Sequence, residues 1–305
     1  MTTTKRNSPF IGTLRARAAT GFDAAVFGAP HGTPYPGIDN RVHAGAANAF
    51  RAALAEDAEW LDHWDFDLGG RLLNSGECRV ADLGNLPTKT KDGKGNRKLI
   101  ETQTRKILEA GAVPLMFGGD DSTPIPFITG FSGSSPITIL QIDAHIDWRD
   151  ERYGERFGYS STMRRASEQL HVWRIVQAGA RGIGSAREEE VIAAKQWGAH
   201  IFTSHHLHHN GLTEILANIP EDSDCLITFD CDAMDTSEMP AVVHPSPGGL
   251  TYNQVTDLIA GVAAKARIAG FAMVEFVPKK DINGAFAYTA ARVAANVIGH
   301  IARQI

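Results

Sequence analysis

Ile137-Thr138-Ile139-Leu140-Gln141-Ile142-Asp143-Ala144-His145-Ile146-Asp147 is the stretch on which the fold turns. Its first six residues are a nearly unbroken apolar and β-branched run, as a strand covered on both faces of a parallel sheet requires. Two carboxylates and an imidazole follow directly. Carboxylates that trail a buried strand are expensive to desolvate unless something positive neutralises them. On an extended backbone, residues two apart share a side, so Asp143, His145 and Asp147 are expected to point one way.

The same pattern occurs twice more. Gly118-Gly119-Asp120-Asp121-Ser122 follows an apolar run at 113–117, and Asp230-Cys231-Asp232-Ala233-Met234-Asp235 follows one at 225–229. In all, eight runs read as strands: 24–28, 79–83, 113–117, 137–142, 175–178, 200–203, 225–229 and 272–276. Helical patterns lie between many of them, at 46–60, 97–110, 188–197, 251–268 and 287–303. Strand then helix, repeated, predicts an α/β chain with three layers, α/β/α, around an eight-stranded, mostly parallel sheet. Ligands of such sheets bind outside the carboxyl ends of the strands. All three acidic clusters lie at such ends. One His among so many Asp points to hard divalent cations held by oxygen and nitrogen, and a two-metal hydrolytic site is the reading that follows.

The remaining features set bounds. The 305 residues suffice for one domain over 23–305, with 1–22, rich in Thr and Arg, as an N-terminal arm that docks on a neighbouring subunit. A net charge of −5 argues against a nucleic-acid surface. No apolar stretch reaches the ~18 residues of a membrane span. Cys78, Cys225 and Cys231 form no CxxC pair, which fits a reducing cytoplasm. Strand alternation turns Cys231 away from Asp230 and Asp232, so it is expected as a core thiol. The run His205, His206, His208 and His209 is expected on the surface rather than on a metal.

Taken together, these motifs resemble the ureohydrolase (arginase/agmatinase) family, on its agmatinase-like branch. The likeness covers nearly the whole chain and continues through Pro-Ser-Pro-Gly-Gly-Leu-Thr at 245–251 and Val-Glu-Phe-Val-Pro at 274–278. It implies an arginase-like fold, a small cationic guanidino substrate, and hydrolysis of a guanidino or related amidine C–N bond to urea or a substituted urea plus an amine. It further implies two divalent metal ions, manganese by default with nickel as the variant, and assembly as a trimer or hexamer. By the same resemblance Asp143 and Asp230 bridge the metals, Asp121 and Asp147 complete one shell, and His145 and Asp232 complete the other. Asp147 passes a proton to the leaving amine, and Glu275 holds the guanidinium. Taken alone, Glu275 reads as a buried acid paired with a cation such as Lys279.

Two departures from the family pattern stand out. Asp121 occupies the position where the family's Gly-Gly-Asp-His-Ser motif has His. The resulting five carboxylates and one imidazole either bind cations tightly while making bound water less acidic, or weaken one site. Residues 157–165, Phe-Gly-Tyr-Ser-Ser-Thr-Met-Arg-Arg, also lack the His that arginases and agmatinases carry there. Tyr159 or a water takes its place, or Tyr159 only lines the pocket. Trp148, Arg149, Tyr153 and Phe157 either shape a pocket for a less polar guanidine or pack the loop. On the same rim His31, Tyr35, Asp39, Asn40 and His43 form a Gly/Pro-rich stretch, with His31 its best candidate for a substrate contact. Two other readings follow. One is a catalytically weak partner in a hetero-oligomer with an active paralogue. The other is a metal-dependent deacetylase of the same superfamily, against which the GGDxS and DAHxD motifs argue.

Overall fold

The computed structural model describes residues 8–74, 76–184 and 186–305. One nine-stranded sheet organises them: β1 (Thr13–Arg15), β2 (Ala24–Ala29), β3 (Val80–Asn85), β4 (Val113–Gly118), β5 (Ile137–Ile142), β6 (Val172–Ala180), β7 (His200–Thr203), β8 (Asp224–Asp230) and β9 (Arg267–Val274). Their order is β1-β3-β2-β4-β9-β8-β5-β6-β7, and every pairing is parallel.

The period-two pleat divides the strands between two cores. Leu140 and Ile142 of β5 enter one core and Ile137 and Ile139 the other; Phe117 and Met116 of β4 part the same way. The first core is covered by α1 (Ala46–Ala53), α6 (Ser204–Asn210), α7 (Thr213–Ala217), α8 (Tyr252–Ala263) and α9 (Ala285–Gln304). The second is covered by α2 (Gly93–Glu109), α3 (Pro124–Thr129), α4 (Thr162–Ala166) and α5 (Glu188–Trp197). This is the three-layer arrangement that the alternating pattern predicts, with one strand more than the eight read from the sequence.

Chain order places the future site. After β4 the chain crosses to β5, leaving a two-strand gap that β9 and β8 later fill. The carboxyl ends of β4, β9, β8 and β5 therefore lie side by side. Register aligns them closely: Ile142 pairs with Phe229 and Asp230 with Val274, so Asp143 emerges level with Asp230. The amide of Glu275 bonds the Gly119 carbonyl at 2.9 Å. Behind this rim Phe50 is fully buried between Phe276 and Phe117, with ring centroids 5.1 and 5.6 Å away. Truncating such a ring costs about 3–5 kcal/mol, and here it would also loosen the strand end that carries Glu275.

Some boundaries differ from those read in sequence. Strand β1 has no apolar run to announce it; only pairing with β3 defines it. With it, part of the expected arm lies against the domain, since Phe10 is 1% exposed and its amide bonds Asp82 Oδ2 at 2.9 Å. Residues 1–7 lie outside the described residues. Helix α1 ends at Ala53 rather than continuing to residue 60, because Glu56, Asp57 and Glu59 would crowd acids onto the negative end of its dipole. Strand β9 begins at Arg267, inside a stretch whose alanines favour helix; pairing with β8, locked by Arg267 on Asp224 at 2.7 Å, overrides that propensity.

Candidate metal centre

Five aspartates meet at this rim, each 2–6% exposed: Asp121 after β4, Asp143 and Asp147 after β5, and Asp230 and Asp232 after β8. His145 joins them, its Nδ1 3.3 Å from Asp143 Oδ1 and 3.2 Å from Asp232 Oδ2. Two groups of ligand atoms lie close enough to share an ion. One is Asp143, His145 and Asp232; the other is Asp121, Asp143 and Asp230; within each, the atoms lie within 4.8 Å of one another. Asp143 belongs to both.

The local backbone reaches this geometry by turns, not by the extended chain expected from the two-residue spacing. The sheet ends at Ile142, and Asp147 adopts a left-handed φ of 45°. Asp230 caps a 3-10 turn over Cys231–Ala233, with the Asp232 amide donating to Asp230 Oδ1 at 2.7 Å. Turns serve the purpose better than a strand, since they bring alternate acids inward around a point. Cys231 is nevertheless fully buried in the first core. Gly118 and Gly119 are needed for close approach rather than for turning. A methyl on Gly119 would sit 2.6 Å from the Pro30 carbonyl oxygen, and one on Gly118 2.8 Å from Val274 Cγ1.

A second set of residues, none of them apparent from motif reading, holds the first in place. Gln141 Nε2 donates to Asp143 Oδ2 at 2.8 Å and to Asp147 Oδ2 at 2.7 Å. Gln177, its register partner on β6, donates in turn to Gln141 Oε1 and to the Ile146 carbonyl. The Thr162 hydroxyl donates to the Asp121 carbonyl. Arg181 Nη2 donates to the carbonyls of Asp232 and Ser246 at 2.6 and 2.9 Å, tying β6, the β8 turn and the loop before α8 together. An amide within a strand carries no spacing signal, although the polar Gln141 in an otherwise apolar run is a hint.

The electrostatics describe a site short of positive charge. Burial, reinforced by neighbouring carboxylates, pushes Asp121, Asp147 and Asp230 well above the usual carboxylate range, and burial also raises Asp143. Asp232 is lowered: burial opposes its charge, but the His145 hydrogen bond and charge outweigh it. Burial likewise opposes charging of His145, yet its two carboxylate partners push it up to about 12. Asp121 Oδ2 is buried with no hydrogen-bond partner. Oxygen donors in excess, one imidazole and an orphaned carboxylate oxygen fit divalent cations held between Asp and His.

Glu275 borders the cluster at a left-handed φ of 66°. Its Oε1 accepts from the Asp121 amide at 2.9 Å, and its Oε2 lies 3.4 Å from His43 Nε2, so its side-chain partner is His43 rather than Lys279. Burial raises Glu275 to about 7 against the opposing pull of His43. Tyr159 lies within the field of Glu275 and receives a hydrogen bond from Arg152 Nη1 at 3.1 Å. His31 bonds Thr88 Oγ1 at 3.1 Å, and none of the described contacts joins it to the aspartates. Trp148 is core, 2% exposed and packed on Trp197, while Phe157 lies under Arg97. The histidine run sits on α6 apart from the acids, with His208 on the Gly249 carbonyl and His206 on Glu214.

A parallel three-layer α/β/α sheet with an oxygen-rich cluster of candidate metal ligands at its carboxyl rim is the arrangement these residues build. The arginase family matches residues 22–300, and the chain belongs to that family. A guanidinobutyrase of Pseudomonas aeruginosa is 30% identical over 211 residues, which cover 67% of this chain and 66% of that protein. The human mitochondrial guanidino acid hydrolase is 28% identical over 279 residues, 90% of this chain and 76% of that one. Among solved structures, proclavaminate amidino hydrolase from Streptomyces clavuligerus superimposes with a TM-score of 0.85 at 22% identity, covering 97% and 98% of the two chains. The agmatine ureohydrolase of Thermoplasma volcanium gives 0.76 at 26% identity, covering 95% of each. Among the described residues no helix is long and apolar enough to cross a membrane.

Proposed function

We propose that the protein is a binuclear metal-dependent hydrolase that cleaves the C–N bond of a guanidino compound, or a related amidine, to urea or a substituted urea and an amine. The observation that carries this reading is the buried meeting of Asp121, Asp143, Asp230, Asp232 and His145 in two overlapping donor groups. Relatives named guanidinobutyrase and guanidino acid hydrolase support the substrate class. Those residues would hold two divalent ions, manganese or nickel, and Asp143 belongs to both donor groups. When bound, such ions lower the pKa of water, so that a nucleophile exists near neutral pH. The chain's own groups do the rest. Glu275, fixed by the Asp121 amide, receives the substrate guanidinium through charge-assisted hydrogen bonds and holds its carbon over the aspartates. Asp147, oriented by Gln141, accepts the proton released as water adds to that carbon and returns it to the departing nitrogen as the C–N bond breaks. The enzyme assembles as a trimer or hexamer and works in the cytoplasm.

Asp121, at a position where the family motif has His, supports a second reading: a weakly active partner subunit of a hetero-oligomer. Metal analysis and urea release by the chain purified alone, loaded with manganese or nickel and offered a panel of guanidines, separate the two. Turnover with bound metal is expected. Less than one tightly held ion per chain together with no urea would favour the partner reading.

A further inference from the structure

The segment from 148 to 161 leaves the cation centre and returns to it. It starts at Asp147 and ends against Thr162, whose hydroxyl bonds the Asp121 carbonyl, and the Arg164 amide closes on the Asp147 carbonyl at 3.1 Å. On this excursion stands Arg152. Its guanidinium carbon lies 5.0 Å from the Tyr153 ring centroid, 5.4 Å from Tyr35 and 5.9 Å from Tyr159. Tyr35 is itself immobilised: its hydroxyl meets Ser160 Oγ at 2.5 Å, and Gly158 packs so closely on its ring that a methyl there would lie 2.2 Å away.

Other arginines on the segment or just after it differ from it. Arg156 pairs with Asp150 at 3.0 Å, Arg165 with Asp150 at 2.5 Å, and Arg149 approaches Glu190 at 3.8 Å. For Arg152 the described neighbours are tyrosines, and no carboxylate among the described residues forms an ion pair with it. Cation–π contacts orient a guanidinium without neutralising it. Arg152 Nη1 donates to the Tyr159 hydroxyl at 3.1 Å, and three residues further on Thr162 closes the segment onto the Asp121 carbonyl, so this positive charge stands beside the acidic floor of the site.

A site with a negative floor and an oriented, uncompensated guanidinium beside it matches a ligand with opposite charges at its two ends. The floor takes a cationic guanidinium. A planar fork such as Arg152 pairs best with a carboxylate, and a terminal ammonium there would meet a like charge. We propose that Arg152 is a specificity-determining residue that selects ω-guanidino acids over guanidines with amine or neutral tails. This rests on the guanidine-hydrolase reading above.

The test compares 4-guanidinobutyrate and its three- and five-carbon homologues with butylguanidine and agmatine, using urea release by the metal-loaded wild type, Arg152→Leu and Arg152→Lys. The wild type should favour the best acid over butylguanidine by roughly ten- to hundredfold in kcat/KM, mainly through KM, with agmatine lowest. Arg152→Leu should erase the preference, and Arg152→Lys should restore part of it. A wild-type preference for agmatine, or an equal loss on every compound in Arg152→Leu with the ratios kept, would overturn the assignment. Hydrolysis without discrimination among tails defeats this inference alone. No hydrolysis of any guanidine defeats the functional reading, and the inference falls with it.

Discussion

Replacing Gln141 by Leu removes a side chain that touches no substrate yet orients two of the acids at the heart of the site. Gln141 is 1% exposed, and its single amide nitrogen serves Asp143 at 2.8 Å and Asp147 at 2.7 Å. Hydrogen bonds to charged groups contribute about 1.5–3 kcal/mol each, so the pair amounts to about 3–6 kcal/mol. Leucine recovers about 1–2 kcal/mol of apolar burial. Asp143 and Asp147, already raised by burial, can also take up protons rather than remain as bare anions. The metal-free variant should therefore lose about 2–4 kcal/mol of stability in denaturant titration. Metal affinity should fall about ten- to hundredfold in competition with a fluorescent chelator, as for other residues that orient a ligand from behind. Wild-type stability together with wild-type manganese affinity would refute the role given to this amide.

Removing one of the clustered acids acts differently. Asp230→Ala deletes one of several repelling carboxylates and should abolish metal loading while the metal-free chain keeps its fold by circular dichroism; retained turnover would contradict the role. Its neighbour Cys231 faces the core, so Cys231→Ala should cost about 1 kcal/mol and leave kcat/KM little changed, whereas loss of metal would place the thiol at the ions. Asp235 accepts from the amides of Ser237, Gly248 and Gly249 at 3.0, 2.9 and 3.1 Å, and these bonds, that of Ser237 foremost, hold its carboxyl down at about 2. Because the folded value lies below that of the free carboxyl, its stabilisation is complete above the unfolded pKa and disappears as pH falls through about 2. Asp235→Ala should thus cost about 1 kcal/mol at pH 7, discounted for partial exposure, with the gap to wild type closing between pH 4 and pH 2; a pH-independent gap would show that the charge is irrelevant.

Much of this was legible because buried parallel strands write themselves as apolar runs and because carboxylates at their ends have few other uses. The convergence of Gly118–Ser122 with Asp143, Asp147, Asp230 and Asp232 follows from sheet order, which strand–helix alternation suggests but does not fix. What escaped was set by tertiary contacts. Strand β1 exists only because β3 offers an edge. The left-handed Asp147 and Glu275 are non-glycine residues in a conformation that spacing rules do not anticipate, and the site's surroundings hold them there. Gln141, Gln177 and Arg152 carry no motif; their roles appear only when register and loop closure bring them beside the acids.

In the proposed enzyme, acids that follow β4, β5 and β8 enclose a pair of cations. A crystal of the manganese-loaded chain, with data collected at the manganese edge, tests it most directly. Two anomalous peaks are expected, one among Asp143, His145 and Asp232 and one among Asp121, Asp143 and Asp230. An empty anomalous map at these side chains, with the aspartates instead paired to protein donors, would contradict the account.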